Sequence, residues 1–224
     1  MKRRASKQLS RRGEGVGGEP QVASLVTEID PGGNLQMDFV DRTNENGGQL
    51  RGLLVNKHTL RLSSPVFRTM LADDSPFHES RNKTTNKDGI QVVRFEEDEM
   101  ASMDILMNAI HLQNHRVPFT LTITQLEQLA IVCDKYDIRC LGPWAEMWSR
   151  HYLNKTCSSL TRLLFVATVF RLADWFVCLT KHLIVRTTLS SEGELLLDDS
   201  SRFREGVPQS ILGKMPETCI EISY

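Results

Sequence analysis

Leu50 to Leu71 reads LRGLLVNKHTLRLSSPVFRTML, and the fold is decided by how this stretch is divided. Gln49 to Val55 has strand length and an aliphatic core. Asn56 then stands where an N-cap is needed, since its side chain can accept the N–H groups that a helix start leaves without intrahelical partners. A short helix carrying Leu60 and Leu62 follows, and Ser63-Ser64-Pro65 breaks and restarts it. Ser64 caps the second helix, with Pro65 in its first turn, where a missing N–H costs nothing. Val66, Phe67, Met70 and Leu71 fall at helical spacing and are expected to supply the buried face. The stretch reads as a device for presenting a surface, and it holds no residue set able to do chemistry.

Upstream, LQMDFV from Leu35 alternates apolar Leu35, Met37 and Phe39 with polar Gln36 and Asp38, the period-two mark of a half-buried strand. The following DRTNENGG is a turn, so the two runs read as a hairpin. Residues 1–33 are rich in Gly, Arg, Ser and Glu, end at Pro31-Gly32-Gly33, and read as a flexible leader, with the folded part expected from Leu35. Within the leader, residues 1–12 carry +6 and no acid, in a chain whose formal net charge is −1. Such an arm could touch nucleic acid, an anionic membrane or an import receptor, but it is short and lacks interleaved aromatics. Arg3-Arg4-Ala5-Ser6 fits a basophilic-kinase acceptor, which makes Ser6 a candidate phosphosite whose modification would subtract charge from the arm.

Downstream, residues 72–89 are polar and turn-rich and read as a long mobile loop. Ile90 to Phe95 is a third strand, and Glu96-Glu97-Asp98-Glu99 suit the N-terminus of a helix. Met103, Leu106, Met107, Ile110 and His111 fill one face of that helix. Leu126, Leu129, Ala130 and Cys133 fill one face of the next, and Pro143 opens another with Trp144 and Trp148 four apart. Leu160 to Val185 reads as two helices joined near Arg171–Asp174, after which periodicity is lost. The expected organisation is a leader over 1–33, a domain over 34–153, a helical extension over 154–186 and a loosely ordered tail over 187–224.

Composition and motifs narrow the classes. The chain has 224 residues with 40% hydrophobic and 25% charged, which allows one ordinary domain plus an extension. No run approaches ~18 apolar residues and the charged N-terminus has no secretory apolar segment, so the expectation is an intracellular protein, nuclear or cytoplasmic, without membrane attachment. Five cysteines without a CxxC pair suggest neither a disulfide framework nor a zinc site. No phosphate-binding loop, GxGxxG, HExxH or GxSxG is present, so neither cofactor nor enzymatic activity is expected. The best catalytic-looking cluster is Cys133-Asp134-Lys135-Tyr136-Asp137, with His111 and His115 upstream as bases. Cys133 lies on the apolar face, however, and reads as a buried thiol, while Asp134 and Tyr136 read as hydrogen-bonding groups of the local turn. His111 and His115 lack a third ligand at suitable spacing, so a helix-end cap or packed imidazole is the expected role.

The order of strand, hairpin partner, helix, Ser-Pro, helix, strand and several helices resembles the BTB/POZ fold as found in fungal BTB domain-containing proteins. Leu54-Val55-Asn56-Lys57-His58-Thr59-Leu60 and Ser64-Pro65-Val66-Phe67-Arg68-Thr69-Met70-Leu71 are similar to that family's signature. Phe77-His78-Glu79-Ser80 resembles its F-x-E segment. Ile110-His111, Val117-Pro118, Leu129-Ala130, Asp134-Lys135-Tyr136-Asp137 and Pro143-Trp144-Ala145-Glu146-Met147-Trp148 resemble the pattern of the fungal subgroup. Asn34 precedes the first strand where the family commonly has Asp. The match covers residues 35–152 well and 160–213 more loosely.

The resemblance implies an α+β fold, a small β-sheet flanked by α-helices with a C-terminal helical extension. It also implies a protein–protein interaction module that forms homodimers or hetero-oligomers. A second implication is a substrate adaptor for a cullin-type ubiquitin ligase. A reading of another class is a dimeric transcription-related regulator using the basic arm, although no DNA-reading fold accompanies it. In the interaction reading, Val55, Leu60, Leu62, Val66, Phe67 and Met70 divide between the core and a two-fold interface, and spacing alone does not say which side each faces.

Overall fold

The computed structural model describes residues 23, 25–41, 49–72, 84–152, 157–189 and 195–197. The basic arm with Ser6, the F-x-E segment, most of the 72–89 loop and the chain end lie outside these residues.

Four strands form the main sheet: β1 (Leu25–Glu28), β2 (Leu35–Asp41), β3 (Gln49–Val55) and β4 (Gln91–Phe95), in the order β1-β3-β2-β4. The expected hairpin is present, with β2 antiparallel to β3 from Leu35 opposite Val55 to Asp41 opposite Gln49. β4 lies parallel to β2, with Phe95 opposite Phe39. The boundary at Leu35 needs correction, because β1 pairs in parallel with β3 and Ile29 behind it is buried. The chain therefore enters the fold about ten residues before the expected start.

Alternation assigns the two faces of β2, but burial departs from the half-buried pattern. Leu35, Met37 and Phe39 are in the core, yet Gln36 and Asp38 on the other face are also buried. The cover is polar. The Ala23 N–H donates to Asp38 Oδ2 at 2.8 Å, Gln36 Nε2 donates to Asp38 Oδ1 at 2.7 Å, and Asn86 Nδ2 donates to Gln36 Oε1 at 2.9 Å. These bonds meet the requirement that buried polar groups find partners. Gly52 lies beneath them, where a Cβ would make a tight contact, 3.1 Å from both Asp38 Oδ1 and Val26 Cγ2.

The helices are α1 (Lys57–Ser63), α2 (Pro65–Met70), α3 (Met100–Ile110), α4 (Ile123–Lys135), α5 (Gly142–Ser149), α6 (Cys157–Val169) and α7 (Ala173–Val185). Met103, Leu106 and Met107 of α3 join the sheet residues in one core, and the layers continue from α3 to α4, α6 and α7. α4 starts on a full capping box, Thr122 and Gln125 each satisfying the other's backbone N–H. Arg162 of α6 donates to Glu127 of α4 at 2.7 Å in a pair mostly withdrawn from solvent. Trp148 is buried and donates Nε1–H to the Pro118 carbonyl at 2.9 Å, while Trp144 stacks on it at 5.7 Å between ring centroids, so the pair packs as core. In the expected tail, β5 (Thr187–Leu189) and β6 (Leu195–Leu197) form an antiparallel ribbon.

Three helices end in the same way. After α3, α4 and α6 the chain turns through Leu112, Asp137 and Arg171, each at positive φ between 49° and 61°. In each case a following amide reaches back to a last-turn carbonyl: Gln113 to Asn108, Ile138 to Cys133, and Leu172 to Ala167. This is the Schellman arrangement, with ordinary side chains in the position that favours glycine.

Candidate interaction surface

The six interface candidates sort cleanly. Val55, Leu60 and Phe67 are each fully buried and belong to the core. Leu62 is 67% exposed, Val66 is 37% exposed, and Met70 is partly buried against the core. Val66 therefore leaves the buried face that helical spacing assigned to it. The reason is the length of α2, whose six residues span less than two turns. One apolar position, Phe67, reaches inward from the helix, and Leu71 is buried just beyond its end.

The Ser-Pro joint fixes this presentation. The Asn56 side chain accepts the N–H groups of His58 and Thr59, as expected of the α1 cap. Ser64 accepts the Phe67 N–H at 2.9 Å and donates its own hydroxyl to the Tyr136 carbonyl at the end of α4. Tyr136 then stacks face to face on Phe67, with centroids 4.3 Å apart, and its hydroxyl donates to Asp98 Oδ2 at 2.7 Å. Lys135 completes the cluster, donating to Asp98 Oδ1 at 2.9 Å. Tyr136 is thus a long-range tie between α2, α4 and the turn before α3, where the sequence reading made it local.

Asp98 shows the same correction. Its side chain is 5% exposed and serves Lys135 and Tyr136. Of the expected acidic helix start, Glu99 holds the N-cap position and accepts the Ser102 hydroxyl at 2.6 Å. Between α2 and this turn runs a groove of about 830 Å³. Pro65, Val66, Thr69 and Met70 form one wall, and Tyr136 with Lys135 closes the end. Exposed Leu62 lies on α1, before the joint.

The groups weighed as catalytic do not assemble a site. Cys133 is buried, and burial pushes its thiol far above the ordinary range, which removes the thiolate that nucleophilic or metal chemistry uses. His111 Nδ1 lies 2.9 Å from the Met107 carbonyl, and Nε2 accepts the Asn56 N–H at 3.0 Å. That pattern requires a neutral ring protonated on Nδ1, and burial lowers its pKa accordingly. His111 therefore acts as a helix-end bracket holding the start of α1. Among the described residues no group of three His, Cys, Asp or Glu could hold a metal ion, and no described helix is long and apolar enough to cross a membrane.

The sequence carried no local sign of the Asp98–Tyr136 and Ser64–Tyr136 contacts, which join positions 38 and 72 residues apart. No family model matches the chain, and no curated protein matches it significantly.

Proposed function

We propose that this chain is a non-catalytic protein-interaction module of the BTB/POZ type that self-associates through the α1–α2 surface. The observation that carries the reading is the split within the signature stretch. Val55, Leu60 and Phe67 are spent on the core, whereas Leu62 on α1 and Val66 on the wall of the groove stand out from it. Apolar side chains grouped on a rigid, capped helix pair are suited to docking, because little order remains to be lost on binding. The mixed α+β architecture supports the same reading, with a four-stranded sheet carrying a Ser-Pro helix pair and further helices behind it.

The test is sedimentation equilibrium on the full chain and on Leu62→Glu combined with Val66→Glu. Each apolar anchor is worth ~1–3 kcal/mol when buried, so the pair should weaken the dimer at least about tenfold. The urea midpoint of the variant should be unchanged, because both side chains are exposed in the isolated chain. A monomer at every concentration for the unaltered chain would overturn self-association. Phe67→Glu is no test, since it would bury a charge in the core.

A further inference from the structure

From α1 across α2 to the turn before α3, the outer surface changes character in three steps. The α1 side is basic: residues 57–70 contain Lys57, Arg61 and Arg68 and no acid. Arg68 is exposed and donates Nε–H to the Arg61 carbonyl at 3.1 Å, which ties its guanidinium to the α1 flank of α2. The helix geometry agrees, because at 3.6 residues per turn Arg68 sits about 200° round α2 from Val66, which lines the groove on the other flank. The centre is apolar, with Pro65 and Val66 exposed and Met70 half-buried beside them.

Beyond the groove, the far wall carries Arg94, Glu96, Glu97, Asp98 and Lys135. Asp98 is held there by Lys135 and Tyr136. Glu97 stands out from the wall: its side chain is 89% exposed, and its contact with Lys135 Nζ, at 4.0 Å, is at the outer limit for an ion pair.

A surface ordered basic, apolar, acidic is complementary to itself. A two-fold axis through the apolar centre keeps that centre against its own copy and turns the basic flank of each chain onto the acidic flank of the other. We propose that two copies pack about a two-fold axis crossing α2 near Val66, with Arg68 of each copy paired to Glu97 of the other. This rests on the self-association proposed above and adds to it the axis and the pair that sets the register. Ion pairs at such a rim add little affinity, but like charges brought together there are rejected, so the pair selects one packing among the apolar ones available.

Sedimentation equilibrium tests this on five samples: the full chain, Arg68→Glu, Glu97→Lys, the chain with both changes, and an equimolar mixture of the two single variants. In either single variant both symmetry-related pairs become like-charged, and the dimer should weaken at least about tenfold. At 1 M salt, where the screening length is about 3 Å, that difference should shrink. A heterodimer of the two single variants opposes unlike charges at both sites, so mixing them should restore association, as should both changes in one chain. Both side chains are exposed, so unchanged urea midpoints should accompany these shifts. An unaltered chain that stays monomeric at every concentration would overturn self-association and this packing with it. Dimers indifferent to both reversals, or association regained only when the two changes share one chain, would overturn the pairing while leaving self-association standing.

Discussion

Ser64→Ala is the most informative single change in this molecule. The hydroxyl is fully buried and does two things, accepting the Phe67 N–H that starts α2 and donating to the Tyr136 carbonyl that ends α4. Loss of an N-cap costs typically ~1 kcal/mol. Loss of the hydrogen bond to the carbonyl adds about 0.5–1.5 kcal/mol, and the methyl group left in place creates almost no cavity. The expected total is about 1.5–2.5 kcal/mol, or a fall in Tm of roughly 3–10 °C for a domain of this size. Asn56→Ala is the internal control: its side chain caps α1 through two N–H groups in a half-buried setting, with no second partner across the fold, and should cost only ~1 kcal/mol. Urea unfolding followed by tryptophan fluorescence measures both, with Trp148 buried and responsive. Equal costs for the two variants would refute the claim that Ser64 ties α2 to α4.

Three further outcomes are expected. Leu112→Gly removes a left-handed strain from a side chain that is 80% exposed, and should stabilise the chain by about 0.5–1 kcal/mol in the same assay. The folded pKa of His111 is lowered by burial, so the unfolded chain takes up the proton first; stability is full above the unfolded value of about 6.5 and falls as pH drops below it. Urea midpoints measured from pH 7.5 to 5.5 should show this slope, and His111→Gln should flatten it. A chain beginning at Asn34 would lose β1 and the Ala23 N–H on Asp38, leaving β3 as an open edge; light scattering should show aggregation that the full chain does not.

The legible parts of the fold were those whose cause is local. Asn56 and Ser64-Pro65 announce their helices because a cap is a matter of two or three neighbouring residues. The β2–β3 hairpin and the division between α6 and α7 are likewise written in adjacent positions. β1 was illegible because LVTE is four residues long and its burial is slight; only its pairing with Arg51 to Leu54 makes it a strand. Gln36 and Asp38 followed the alternation of a solvent-facing surface and were buried by Ala23 and Asn86, which approach from elsewhere in the chain. The candidate surface was half legible. Its position on α1–α2 followed from the sequence, but which side chains faced out depended on the shortness of α2 and on Tyr136 filling the space beside Phe67.

The junction at Tyr136 has a consequence for how any movement of α2 would spread through the molecule. Its ring is pressed on α2, its carbonyl is held by Ser64, and its hydroxyl is held at the entrance to α3. A ligand that tilted α2 could not do so without dragging the ring and loosening the phenol from Asp98. The phenol is therefore a built-in reporter: the chemical shift of its ring protons, or the ultraviolet absorption of the tyrosine, would register a tilt of α2, and direct contact at the end of the groove that Tyr136 closes.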